Sequence, residues 1–221
     1  MIRNLSFIIS ISCFSILSFS QEPVSKKDVY LDYVKHLKKN NPDNYKFELD
    51  SIVAVFIDSL IKHGVDAFGV YEQDYVGAEM VDPCMCAIIP YEAYVNWIIN
   101  GQVFHRKITK CCQFQTVQVE YSVMINYYKN AIEEINKARI LPVITNAYKN
   151  EKGEIISEFV GVDHTTEFII FCSYGTKKSL TTFGYFELVN QKGLFQEENE
   201  GSILNSWRKM IESQISELDK R

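Results

Sequence analysis

Four cysteines are the residues of this chain whose type and spacing could support chemistry. Cys84 and Cys86 stand one residue apart, and Cys111 and Cys112 are adjacent. Four thiolates can hold zinc, a reactive pair can exchange disulfides, and two pairs can form structural bridges. Neither C-x-C nor C-C is the C-x-x-C spacing typical of zinc knuckles and thiol oxidoreductases. The pattern therefore favours structural disulfides, with a four-thiolate zinc site as the alternative.

A β-hairpin between the two cysteine pairs must bring them together if they bond. Asn100-Gly101 separates two β-rich segments and predicts a type I′ turn. The turn defines a register in which Ile99 faces Gln102, Trp97 faces Phe104, Val95 faces Arg106, and Ala93 faces Ile108.

Two registers are possible beyond this hairpin. If one long arm enters the hairpin from about residue 86, then Cys111 lies beside Pro90 and Cys112 beside Ile89, and both pairs are close. If residues 84–89 form a separate strand, the pairs lie on the order of 20 Å apart, and a disulfide needs Cα atoms within roughly 7 Å. We favour the first register, because Pro90 suits a bulge or an edge.

Alternation along the hairpin predicts a core face and a mostly solvent-exposed face. The core face carries Ala93, Val95, Trp97, Ile99, Phe104 and Ile108. The exposed face carries Tyr94, Asn96, Ile98, Val103, His105, Lys107 and Thr109. Arg106 points to the core side and is expected to reach solvent at the sheet margin.

The first twenty residues have the pattern of a secretory signal peptide. Arg3 precedes an apolar run from Leu5 to Phe19, and we expect cleavage between Ser20 and Gln21. An uncleaved anchor is the alternative. After cleavage we expect no stable membrane insertion and a periplasmic or extracellular location. That compartment is oxidising, which again favours disulfides.

Hydrophobic periodicity predicts the elements of the remaining chain, residues 21–221. Helices are expected near 29–37, 47–62, 120–139 and 203–218, and 146–154 reads as a loop. Strands are expected over 66–81, with a break near Gln73 and Asp74, and at 154–162, 166–174 and 180–188, the middle of these being a central strand. We predict a single α+β domain: a largely antiparallel sheet built from hairpins, with amphipathic helices packed over one face.

Charge and motif content narrow the functional classes. The chain has 23 basic and 28 acidic residues, and no basic cluster interleaved with aromatics, so nucleic acid is not expected as a partner. His36, His63, His105 and His164 form no constellation, and Cys172 reads as a small buried hydrophobe. We predict no catalytic residue, metal or cofactor.

The absence of a catalytic motif favours a non-enzymatic binding module of the cell envelope or extracellular space. Its partner would be another protein or a surface component. The alternative is a small exported hydrolase or transferase whose polar residues converge only in three dimensions.

We predict that at least one disulfide joins Cys84 or Cys86 to Cys111 or Cys112 in the exported protein. Such a bridge closes a loop of roughly 25 residues and contributes about 3 kcal/mol in the chain-entropy model. Replacing the bonded pair with Ser should lower the melting temperature without changing which partner binds. Non-reducing peptide mapping checks the pairing, and free thiols at all four positions would contradict it.

Overall fold

A six-stranded antiparallel sheet organises the chain. The computed structural model describes residues 24–29, 32, 51–75, 91–109, 112–162, 165–190 and 192–220. The strands are β1 (Ala67–Tyr75), β2 (Tyr91–Ile99), β3 (Gln102–Thr109), β4 (Val117–Val119), β5 (Ile144–Lys149), β6 (Ile155–Phe159), β7 (Thr166–Tyr174) and β8 (Lys177–Gly184). The large sheet has the order β4-β3-β2-β1-β7-β8, and β5 pairs with β6 separately.

Helices pack on both faces of the large sheet. From residue 51 onwards the helices are α1 (Ser51–Lys62), α2 (Val123–Asn130), α3 (Ile132–Lys137), α4 (Tyr185–Val189), α5 (Gln196–Glu200) and α6 (Ile203–Leu218), of which α5 packs against α4. The α+β class and the antiparallel sheet are confirmed. Within the described parts of the chain, no helix combines the length and apolar character needed to cross a bilayer.

The hairpin of β2 and β3 follows the predicted register. Asn100 and Gly101 both have positive φ, 52° and 74°, as a type I′ turn requires. Ile99 pairs with Gln102, and Ala93 pairs with Ile108 at the far end of the hairpin. The two-residue turn alone was therefore enough to align the strands.

The prediction that one face of this hairpin is mostly wet is wrong. Val53 and Ile57 of α1 cover the apolar face, while α2 and α6 cover the other. Tyr94, Asn96 and His105 are consequently buried. The polar groups at these positions are tolerated because Asn96 and His105 hydrogen-bond to each other and the Tyr94 hydroxyl donates to Glu92. Helices were expected over one face of the sheet only, and the structure has helices over both faces.

The interior of the sheet differs from the predicted strands in one respect. β1 runs unbroken through Gln73 and Asp74, where a break was expected, because it pairs with β2 on one side and β7 on the other. β7 lies between β1 and β8, which confirms it as an interior strand.

Three other predicted segments are corrected. The strand expected at 180–188 is β8, which ends at Gly184, and the chain continues as the helix α4. The helix expected over 120–139 begins instead after Ser122, whose hydroxyl accepts from the Ile125 amide at 3.2 Å, and it is divided at Ala131. The segment 146–154 is not a loop throughout, since β5 occupies its first part. Asn150 makes the turn into β6 by accepting from the amides of Lys152 and Glu154.

The closing helix is confirmed at its predicted bounds and begins at a Ser202 cap. It docks on α2 through Trp207, whose Nε1 donates to the Met124 carbonyl at 3.1 Å. Met124 in turn lies directly over Gly69 of β1, where a methyl group would overlap its sulfur and lie 3.0 Å from its Cγ. Trp207 and Met124 are both buried, so a small residue at position 69 brings the helical layer onto the sheet.

We predict that Gly69→Ala lowers the free energy of unfolding by about 1–3 kcal/mol, because a methyl group overpacks this contact. Chemical denaturation measures the change. Gly161→Ala is the matched control, since a methyl there meets nothing within 4 Å. The cost of Gly69→Ala should shrink in a Met124→Ala background. An equal cost in both backgrounds would contradict the proposed contact.

Candidate functional site

An open pocket of about 500 Å³ lies where the last turn of α6 meets β1. The residues that line it come from β1, from α6 and from the two positions just after α6: Tyr71, Gln73, Glu212, Ile215, Ser216, Asp219 and Lys220. Tyr71 and Gln73 point to the same side of β1, since they are two residues apart on a strand.

A hydrogen-bonded network centred on Glu212 forms the floor of the pocket. The Tyr71 hydroxyl donates to Glu212 Oε1 at 2.6 Å. Gln73 Nε2 donates to the Tyr71 hydroxyl at 3.1 Å and to Glu212 Oε1 at 3.2 Å. Arg208 Nη1 lies 2.6 Å from both carboxylate oxygens. The carboxylate is therefore held in one orientation by three side chains.

Arg208 is the buried residue that supports this network. Its Nε and Nη2 donate to Asn205 Oδ1 at 3.1 and 3.0 Å, and its guanidinium lies 4.8 Å from the centre of the Phe168 ring. Asn205 is itself fixed by donating to the Glu200 carbonyl at 2.8 Å. The Arg208 side chain is 8 % exposed and that of Glu212 is 30 % exposed, so the ion pair is partly buried, and removing either partner would leave the other charge without its counterion.

Tyr71 remains a neutral hydrogen-bond donor in this setting. Burial raises the pKa of its phenol well above the usual range, and the negative charge of Glu212 raises the pKa further. Its proton therefore stays on the oxygen and points at the carboxylate.

The neighbouring strand carries a second arrangement of the same kind. Tyr94 donates to Glu92 Oε2 at 2.7 Å, and Lys107 Nζ lies 2.6 Å from Glu92 Oε1. The register places Tyr94 beside Tyr71, with ring centres 6.4 Å apart. Each carboxylate thus accepts from a tyrosine and is paired with a cation.

His105 on β3 lies next to Tyr94, so polar side chains continue from β1 through β2 to β3. Its ring stacks on Tyr94 with centres 5.9 Å apart, and its Nδ1 lies 3.1 Å from Asn96 Oδ1. Burial lowers the pKa of His105 to about 4, Lys107 lowers that pKa too, and Asp219 opposes them. The imidazole is therefore neutral at pH 7.

Of the four cysteines in the disulfide prediction, the structure describes only Cys112. Cys84, Cys86 and Cys111 lie outside the described residues. Cys112 is not a free thiol, and the structure does not describe its partner. The pairing stays a prediction. The zinc alternative is also untested, although no group of three potential metal ligands occurs among the described residues.

The start of the long arm expected to enter the hairpin from about residue 86 lies outside the described residues, but the strand opposite it is described. β3 stops at Thr109, where the Cys112 amide donates to Thr109 Oγ1 at 3.0 Å and the chain reverses. Gln113 then bridges back to Ile108. Cys112 consequently sits in a turn rather than on a straight continuation of β3, because the threonine side chain and backbone close this turn.

The remaining candidates occupy structural positions. His63 Nδ1 lies 2.7 Å from the Ser59 carbonyl near the end of α1. Cys172 is buried as predicted, and burial raises its pKa above the usual range. His36 and His164 lie outside the described residues.

Sequence reasoning missed the residues that form the pocket. The sequence pattern predicts a strand break at Gln73 and indicates no role for Glu212. One signal was available, because Arg208 and Glu212 stand four residues apart beside the apolar stripe of α6, where a helical ion pair forms. That pairing does not indicate Tyr71, which only the tertiary fold brings to the helix.

A second surface feature is apolar. Ile156, Phe159, Val160 and Val162 are all exposed on or just after β6. Clustered exposed apolar side chains are typical of contact surfaces. This segment therefore competes with the pocket as the place where a partner would bind.

No protein-family model matches this chain, and searches of curated proteins and of solved structures also returned no match.

We predict that His105 makes the protein less stable as pH falls from about 6.5 towards 4. The unfolded state binds a proton on this imidazole in that window and the folded state does not, so the loss reaches about 3 kcal/mol. The free energy of unfolding of His105→Gln should fall less steeply over this range, measured by urea denaturation. Between pH 7 and 8 the two proteins should have equal slopes. Parallel curves from pH 6.5 to 4 would contradict the prediction.

Proposed function

We propose that this chain is an exported, non-enzymatic binding module that recognises its ligand in the pocket at the end of α6. The observation that carries the proposal is the support beneath the pocket. Buried Arg208 holds Glu212 through two contacts of 2.6 Å, and Tyr71 and Gln73 hold the same carboxylate from the sheet. A site prepared in this way does not have to order its own side chains when a ligand binds.

The internal hydrogen bonding favours binding over catalysis. Glu212 Oε1 already accepts from Tyr71, Gln73 and Arg208. Burial holds the phenolic proton of Tyr71 in place. A general acid or base must exchange its proton with a substrate, and groups committed to one another are poorly suited to that exchange.

The outer wall of the pocket offers groups that a ligand could engage. Ser216, Asp219 and Lys220 are exposed. Their side chains make no hydrogen bond or ion pair to any part of the chain that the structure describes. The pocket therefore combines a fixed floor with a wall whose polar groups are open to solvent.

Export is supported by the pattern of residues 1–20, which lie outside the described residues. The partner would then be a component of the cell envelope or of the extracellular space. A small exported hydrolase or transferase is the second candidate, favoured by His105, a buried imidazole held by Asn96 at 3.1 Å near the charge of Asp219 at the pocket rim.

We predict that Ser216→Leu abolishes ligand binding while Ser213→Leu leaves it intact. Both serines are exposed on α6, but only Ser216 lines the pocket, so a leucine at 216 fills the site. ¹H–¹⁵N spectra of the labelled protein, titrated with fractions of a soluble envelope extract, measure binding. Amide shifts should cluster around Tyr71 and Glu212. Thermal unfolding checks that both variants remain folded.

Three results would overturn the proposal. Shifts that survive in Ser216→Leu but disappear in Phe159→Ser would place recognition on the exposed apolar segment after β6. Chemical conversion of an extract component, detected by mass spectrometry and lost in His105→Gln, would establish the enzyme instead. Extract fractions that produce no shifts in the unmodified protein would leave the pocket without a ligand and remove the basis for a binding module.

A further inference from the structure

The charges around the pocket are balanced in pairs. Glu212 is neutralised by Arg208, and on the adjacent strand Glu92 is neutralised by Lys107 at 2.6 Å. At the rim, Asp219 and Lys220 contribute one negative and one positive charge. An ionic ligand is selected by an excess of opposite charge, and these groups provide none.

The end of α6 also disfavours an anion. Asp219 is the C-cap of the helix, and the last turn contains no basic residue. The C-terminus of a helix carries a partial negative charge, which repels phosphate or carboxylate groups. A phosphate-binding site would need the opposite end of a helix or an unpaired cluster of cations.

The hydrogen-bonding groups suit a ligand that both donates and accepts. Among the residues that the structure describes, Glu212 Oε2 accepts from Arg208 alone, which leaves an acceptor position on this oxygen. Ser216 and Asp219 add acceptors, and Lys220 adds a donor. A hydroxyl group can accept from an ammonium and donate to a carboxylate at once, so adjacent hydroxyls can bridge the two sides of the pocket.

From these observations we infer that the pocket binds a neutral polyhydroxylated ligand, a saccharide in chemical class. The inference rests on the proposed function, because it assumes that the pocket is the recognition site. The volume of about 500 Å³ lies within the usual range for small-ligand sites. Ile215 is 8 % exposed and adds a small apolar patch to the pocket wall, which the C–H groups of a sugar ring can contact.

The test is a binding panel on the full chain, measured by isothermal titration calorimetry. The panel contains neutral mono- and disaccharides, putrescine as a diamine, and inorganic phosphate. At least one saccharide should bind, and putrescine and phosphate should not. Ser216→Leu should raise the dissociation constant at least tenfold, and Ser213→Leu should leave it within twofold. Raising the salt from 0.15 to 1 M should also leave it within twofold, because a neutral ligand makes no ion pair.

The outcomes separate this inference from the proposed function. Binding of putrescine or phosphate that Ser216→Leu abolishes would keep the pocket as the recognition site and overturn the saccharide class. Saccharide binding that is unchanged in Ser216→Leu would overturn both. A panel without any binding would overturn the saccharide class, while the extract titration would still decide whether the pocket binds another ligand.

Discussion

The close approach of α2 to β1 at Gly69 is the constraint on which the helical layer depends. Met124 occupies the space above the glycine, and Trp207 hydrogen-bonds to the carbonyl of the same methionine. The position of α6 therefore follows from that of α2. Because Arg208 and Glu212 lie on the same helix as Trp207, the packing that buries the indole also sets where this ion pair meets Tyr71 of β1. Gly69 on β1 thus helps to determine how α6 meets the same strand, and so the geometry of the pocket between them.

Two kinds of sequence signal proved sufficient for parts of this fold. The Asn100-Gly101 turn specified the pairing of β2 and β3, because a two-residue turn with two positive φ values fixes which residues of the two strands face each other. The apolar periodicity of α6 specified its full length, because the helix has one buried side and a serine cap. Both signals are local, so neither requires knowledge of what the segment packs against.

The errors arose where burial depends on distant partners. His105 and Asn96 look like exposed residues in an alternating strand, yet a helix far along the chain covers them. β5 contains Asn and Lys and resembles a loop, but pairing with β6 makes it a strand. The pocket was invisible for the same reason, since Gln73 and Glu212 carry no shared motif. The cysteine pattern was visible, but chemical mapping rather than the described fold must decide its pairing.

The separation between the two halves of the pocket has a consequence for how the protein matures. Tyr71 and Glu212 lie 141 residues apart, and their hydrogen bond cannot form before α6 has been synthesised and docked. β1 must also wait for β7, about a hundred residues later, before its second edge is paired. Contacts this distant slow folding, because the entropy of closing the loop is lost before the contacts stabilise it. A chain released before α6 would leave β1 with only its own side of the pocket, so binding at the proposed site would report on complete assembly.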